Sequence, residues 1–143
     1  MASKIFLDAN LLLDFTLKRD SYDAVKRIFK LVLTGHVQAF TSSSVLHITG
    51  HYLSKVYGSE QTKVLLQAIL MEVSIVDIPH DVAVVALSSR FKDIEDSLQY
   101  YTAIHHRLNY FISSDKDLKK EGIPLLPVCS PQQYLEITGQ QGF

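Results

Sequence analysis

The sequence of 143 residues contains very little cysteine, with Cys129 as the only one. A single cysteine excludes an internal disulfide and fits a cytoplasmic location, where thiols are kept reduced. Charge of either sign is also not in excess, since the net charge is −1. This balance excludes a protein that attracts polyanions over its whole surface, so any nucleic-acid contact must come from a local patch.

Long hydrophobic runs are absent as well. The longest apolar stretches are too short to cross a membrane, and the N-terminus has no basic region followed by a long apolar segment, so we expect neither a membrane span nor a signal peptide. Hydrophobic residues nevertheless make up 47% of the chain, which is ample for one core. We therefore expect residues 1–138 to form one domain and residues 139–143 to be a loose tail.

Segments with strand and helix patterns alternate along the chain. The strands are predicted at residues 4–7, 37–41, 73–78, 110–113 and 124–128, and helical patterns fill the intervals. This alternation predicts an α/β fold with a largely parallel sheet, right-handed crossovers and helices on both faces. In such sheets ligands bind outside the carboxyl ends of the strands, where the strand order reverses.

Two of the predicted strands lead directly to an acid. The apolar run at residues 4–7 ends at Asp8, and the run at residues 110–113 is followed by Asp115. A buried strand that ends in an unpaired carboxylate is costly, which indicates a functional reason for the charge. Asn10 is a suitable N-cap for the helix after Asp8, and Asp14 would lie one turn into that helix.

A third group of acids lies between these two strands. Asp93, Glu95 and Asp96 stand within four residues at the start of a helical pattern. Acids crowded into one crevice oppose each other's ionisation, and a divalent cation removes that conflict. Asp93 is itself typical of a helix cap, and Asp117 is typical of an exposed residue or a more distant partner of such a site.

These motifs resemble the PIN-domain ribonucleases, in particular toxins of the VapC type. The resemblance covers nearly the whole chain and depends on FLDAN at residues 6–10 with Asp14, DIEDSLQY at 93–100 and ISSDKDL at 112–118. It implies a five-stranded parallel sheet and RNA cleavage by a water activated on Mg²⁺ or Mn²⁺. It further implies that Asp8, Asp96 and Asp115 hold the metal, that Asn10 fixes Asp8, and that Ser113 lies at the same site.

One position departs from the family pattern. The segment SSSVLHI at residues 42–48 places His47 where the family has a glutamate. Mg²⁺ prefers oxygen ligands and Mn²⁺ tolerates imidazole, so this substitution predicts weak Mg²⁺ binding if His47 is in the site. Glu95 could replace some of the lost charge, although adjacent helix residues do not share a face. The alternative is that His47 is a structural histidine.

Several functions remain open from the sequence. The resemblance implies an RNA substrate, a homodimer and an antitoxin partner, and the departure at His47 also allows a weakened PIN fold that binds RNA or protein without cutting. A phosphorylated receiver domain would use Asp77, but it needs a lysine after the last strand, and residues 125–130 contain none. A phosphatase with an aspartyl nucleophile needs a second acid where Asn10 stands.

Overall fold

The computed structural model describes residues 2–139, and this part of the chain forms five strands in one sheet. The strands are β1 (Ser3–Leu7), β2 (Val37–Thr41), β3 (Val73–Ile75), β4 (Tyr110–Ile112) and β5 (Val128–Cys129). Their order is β3-β2-β1-β4-β5, and all neighbouring pairs are parallel. The predicted α/β fold with a parallel sheet is therefore confirmed.

Eight helices connect and flank the strands in the described part of the chain. They are α1 (Ala9–Thr16), α2 (Tyr22–Leu33), α3 (Ser43–Tyr57), α4 (Ser59–Leu70), α5 (His80–Leu87), α6 (Ile94–His105), α7 (Lys116–Glu121) and α8 (Pro131–Thr138). From β1 the chain adds β2 and β3 on one side of the sheet, and later it adds β4 and β5 on the other side. Right-handed crossovers in these two opposite directions place helices on both faces of the sheet. None of the helices within residues 2–139 is long and apolar enough to span a membrane.

The strand order reverses between β1 and β4, which lie at the centre of the sheet. The last three residues of β1 and all three residues of β4 are apolar, because a parallel strand covered on both faces has no side exposed to water. The rings of Phe6 and Phe111 stack across the pair with centroids 4.9 Å apart, and Tyr100 of α6 lies fully buried against Phe111. This packing fixes the carboxyl ends of β1 and β4 side by side, so residues 8 and 113 emerge at the same place.

Two strands, β3 and β5, are each three residues shorter than predicted. The segment at residues 124–126 is a turn in which the Leu126 amide bonds to the Ile123 carbonyl, because prolines at 124 and 127 cannot donate to a ladder. On the other edge, Val76 still bonds to the Thr41 carbonyl, but β2 ends at Thr41 and offers no partner further on. Of the predicted tail, Gly139 ends α8 with φ +73°, and residues 140–143 lie outside the described part.

Candidate active site

Asp8 lies at the carboxyl end of β1 and is held on both of its oxygens. The side chain is only 7% exposed, and it caps α1 by accepting a 2.7 Å bond from the Ala9 amide. Its other oxygen accepts a 2.9 Å bond from the Ser113 hydroxyl, which follows β4. The prediction that Asn10 caps α1 is wrong, because the helix begins one residue after Asp8 and leaves Asn10 exposed in the first turn.

The surroundings of Asp8 oppose its ionisation. Burial raises the pKa of Asp8, and the negative charges of Asp115 and Asp93 raise it further, whereas the bonds from Ser113 and Ala9 lower it. The net effect is a raised pKa, because two hydrogen bonds do not replace the hydration that the carboxylate loses. A cation beside Asp8 would reverse this balance.

The start of α6 contributes the second group of acids. Asp93 is the N-cap and accepts a 2.9 Å bond from the Asp96 amide, as predicted for a helix cap. Asp96 is partly buried, and its pKa is raised to about 7, first by burial and then by the charges of Asp93, Asp8, Asp115 and Glu95. Glu95 has a raised pKa for related reasons, burial first and then the charges of Asp8 and Asp93.

Asp115 follows β4 and begins α7. Its carboxylate accepts bonds from the Asp117 amide at 2.9 Å and the Leu118 amide at 3.2 Å. Its own amide donates to the Ser113 hydroxyl at 3.2 Å. The Ser113 hydroxyl therefore links the buried carboxylate of Asp8 to the backbone of Asp115, and it holds two of the predicted site acids in one arrangement.

The acids of α6 and α7 line one open crevice of about 380 Å³. Its walls include Asp93, Asp96, Asp115 and Asp117, together with Lys92, Lys120 and Glu121. A neighbouring depression of about 480 Å³ shares Asp115 and also includes Asn10 and Asp14. Asp14 lies 3.1 Å from the guanidinium of Arg19, so its charge is already paired beside the crevice.

The donor set of this crevice suits a hard divalent cation. Carboxylate oxygens are the ligands that Mg²⁺ and Mn²⁺ accept most readily, and a bound cation would offset the burial and the neighbouring acids that raise the pKa of Asp96. No three Asp, Glu, His or Cys side chains within residues 2–139, however, already lie close enough together to form a metal-binding group. The acids are thus in mutual electrostatic contact without forming a preassembled coordination sphere.

His47 lies away from these acids. It is exposed on α3 and lines a groove between α3 and α4, and it borders neither acidic depression. The expectation that His47 takes the place of a metal-site glutamate therefore has no support in the geometry. The part of α3 that meets α6 is its first turn, one turn before His47.

Sequence reasoning missed the polar contacts between α3 and α6. The side chain of Gln99 is 3% exposed, accepts a bond from the Ser42 hydroxyl and donates to the Ser44 hydroxyl. Gln99 stands three residues after Asp96 on α6, so this pair of contacts lies about one helical turn from the acid. The available signal was an uncharged polar residue on an otherwise buried helix face.

Asp77 has a structural partner of its own. Its carboxylate accepts bonds from the backbone amide and the hydroxyl of Ser43, at 3.2 and 2.8 Å. It follows the edge strand β3, whereas the acids described above surround the central strands. Asp77 therefore stabilises the start of α3, which gives no support to a receiver domain phosphorylated at this residue.

Comparison with known proteins gives a family match and several related folds. A family model described as the PIN domain matches residues 4–117. Among solved structures, VapBC2 from Rickettsia felis bound to a DNA fragment from their promoter has a TM-score of 0.67 at 19% identity, covering 87% of this chain and 96% of that chain. No curated protein sequence matches the chain.

Two further structures have the same fold. VapC20 from Mycobacterium tuberculosis, a toxin that cleaves the sarcin-ricin loop, has a TM-score of 0.66 at 16% identity and covers 83% of this chain and 95% of its own. A protein from Pyrobaculum aerophilum has a TM-score of 0.67 at 16% identity, covering 98% of this chain and 92% of that chain. At these identities the likeness concerns the fold.

Proposed function

Because the chain belongs to the PIN domain family, whose model matches residues 4–117, we propose that it is a metal-dependent endoribonuclease. The observation that carries the proposal is the cluster of acids at the switch point of the sheet, where burial and the neighbouring carboxylates raise the pKa of Asp96 to about 7. A site that raises the pKa of its own acids is destabilising unless a cation binds there. The family and the position of the acids point to the same crevice.

In this proposal Asp8, Asp96 and Asp115 hold the cation, which is Mg²⁺ or Mn²⁺. When bound, such a cation supplies a Lewis acid for the scissile phosphate and lowers the pKa of a coordinated water. Ser113 orients Asp8 through its 2.9 Å bond, and Asp93 positions Asp96 by capping α6. These fixed partners limit how far the acids can turn.

The neighbours at the crevice have supporting roles. Lys92 and Lys120 stand at its rim, where ammonium groups can attract the phosphates on either side of the scissile bond. Arg19 pairs with Asp14 in the adjoining depression. In this proposal Asp14 and Asp117 lie near the cation but do not bind it directly. The named activity of VapC20, cleavage of the sarcin-ricin loop, supports RNA as the substrate class.

The test is cleavage of a labelled RNA by the purified chain in Mn²⁺, in Mg²⁺ and in EDTA. We expect cleavage with either cation and none in EDTA. Asp96→Asn should reduce the rate at least a hundredfold, whereas Glu136→Gln, an exposed acid on α8, should not change it. Equal cleavage by the wild type and Asp96→Asn would contradict the proposal, because a contaminating nuclease would then account for the activity.

A PIN fold that binds RNA without cutting it is the second candidate. It is favoured by the lack, within residues 2–139, of three ligand side chains close enough to form a metal-binding group. This candidate predicts RNA binding that is insensitive to Mn²⁺ and leaves the RNA intact. The cleavage assay above, run beside a binding measurement on the same RNA, separates the two candidates.

We also propose a cytoplasmic protein that pairs with a second copy of itself and with an antitoxin. The Rickettsia felis structure, which contains VapBC2 and promoter DNA, supports a partner of this kind. Exposed apolar side chains on α5, at Val84, Val85 and Leu87, support a further protein contact. Light scattering at micromolar concentration should give twice the monomer mass, and a monomer at all concentrations would contradict the homodimer.

A further inference from the structure

One face of α3 carries three basic side chains at intervals of four residues. These are His47, His51 and Lys55, all exposed, and they line the same groove. A four-residue interval keeps side chains on one face and advances about 6 Å along a helix. The stripe thus presents groups that can donate to an anion at regular steps over about 12 Å.

Helix α4 forms the opposite wall of this groove. The groove has a volume of about 510 Å³, and α4 contributes Ser59, Thr62 and Lys63 to its lining. The Thr62 hydroxyl is buried and has no hydrogen-bond partner in the described structure, and α4 begins at Gly58 without a side-chain cap. The wall therefore offers a second ammonium group, that of Lys63, and an exposed serine at the start of α4, whereas the Thr62 hydroxyl is too buried to meet a ligand in the groove.

An exposed aromatic ring stands beside the stripe. Tyr52 is 51% exposed, and its ring meets the His51 ring edge-on with centroids 5.5 Å apart. The ammonium group of Lys55 lies 5.7 Å from the centroid of the same ring. A large aromatic side chain left open to solvent between basic groups is the arrangement on which unpaired bases stack.

The start of α3 is tied to α6, the helix that carries Asp96. Helix α3 begins where Ser44 accepts a bond from Gln99 of α6, and Gln99 is one turn from Asp96. His47 is the next turn of α3 after Ser44. The contact between Ser44 and Gln99 therefore links the helix with the basic stripe to the helix with the acid.

We propose that the groove between α3 and α4 is a track for single-stranded RNA, an inference that rests on the proposed ribonuclease function. Regular basic steps bind consecutive phosphates and Tyr52 stacks on a base, so the track holds the substrate without reading its sequence. An acidic peptide would also be attracted by the charges, but it would not use an exposed ring as a stacking surface. Glu60, the acid nearest in sequence to α4's start, is not among the groove-lining residues.

The test is fluorescence anisotropy with a labelled single-stranded RNA of mixed sequence, in EDTA so that no cleavage occurs. Lys55→Ala/Lys63→Ala should weaken binding at least fivefold and should reduce the salt slope by about 1.4, since each phosphate contact on a single strand contributes about 0.7. The matched control is Lys26→Ala/Lys30→Ala, which removes two exposed charges from α2 and should change the Kd less than twofold. Thermal melts of each variant establish that it is folded.

Stacking is tested separately at Tyr52. Tyr52→Ala should weaken RNA binding at least threefold, and Tyr52→Phe, which keeps the ring, should stay within twofold of the wild type.

An equal loss of RNA affinity in the groove lysine variant and in the α2 control would overturn the track, because only net charge would then matter. Unchanged RNA binding, with loss of polyglutamate binding, would overturn it in favour of an acidic protein partner.

The two proposals fail in different ways. If the wild type does not cut RNA in Mn²⁺ but the groove variant loses RNA affinity in EDTA, the nuclease proposal is wrong and the track is supported. If the wild type cuts RNA and the groove variant binds and cuts a long single strand as well as the wild type, the track is wrong and the nuclease proposal stands.

Discussion

The charge of Asp96 should make the metal-free protein less stable at high pH, and Asp96→Asn should remove that effect. In the unfolded chain this carboxyl loses its proton near its ordinary pKa of 3.8, whereas in the folded protein the pKa is about 7. The folded state therefore binds more protons between these values, so the free energy of unfolding falls as pH rises from about 4 to about 7. The raised pKa of Asp8 acts in the same direction.

The size of the effect follows from the interval between the two pKa values. An interval of about three pH units corresponds to about 4 kcal/mol at most, at 1.36 kcal/mol per unit. Asp96 is only partly buried, so solvent screening reduces this to about 1–2 kcal/mol. Asp96→Asn, which cannot ionise, should therefore be more stable than the wild type by about that amount at pH 8 and similar to it at pH 4.

Urea unfolding in EDTA at pH 4, 6 and 8 measures this difference. Adding Mn²⁺ at pH 8 should stabilise the wild type, because ligands that bind the folded state raise its stability, and should stabilise Asp96→Asn less. The matched control is Glu136→Gln, an exposed acid on α8, whose pH profile should follow that of the wild type. The reasoning is refuted if Asp96→Asn loses stability with pH as steeply as the wild type does.

Three further substitutions test individual contacts. Ser113→Ala removes the 2.9 Å hydrogen bond to Asp8. It should lower the free energy of unfolding by about 1–3 kcal/mol and weaken Mn²⁺ binding. The control is Ser114→Ala, at an exposed neighbour, which should change neither quantity. Tyr100→Phe removes a buried hydroxyl that bonds to three backbone groups, so chemical unfolding should show a loss of about 1–3 kcal/mol with unchanged metal affinity. His47→Glu should leave Mg²⁺ affinity unchanged by calorimetry, because His47 lies outside the crevice; tighter Mg²⁺ binding would place it among the ligands.

The sequence predicted the fold and the positions of Asp8 and Asp115 after β1 and β4, because both depend on local patterns. Apolar runs that are buried on both faces identify β1 and β4. An acid that follows such a run lies at the carboxyl end of the strand, independently of the conformation of the loops. Asp93 was likewise recognisable as a cap, since capping needs only the next three residues. These features require no knowledge of distant contacts.

Features that depend on packing between distant segments were not predictable. The clamp of Gln99 on Ser42 and Ser44 joins residues more than fifty positions apart. His47 lies in the groove between α3 and α4 because of how these two helices pack, and the sequence pattern does not specify that packing.

The central claim is that the acids at the switch point hold a divalent cation. It is tested most directly by titrating the protein with Mn²⁺ and measuring the free ion by electron paramagnetic resonance. The wild type should bind Mn²⁺, and Asp8→Asn and Asp115→Asn should each lower the affinity at least tenfold, because each removes a carboxylate from the site. Glu136→Gln, exposed and distant on α8, should bind as the wild type does. Wild-type affinity in both site variants would contradict the account.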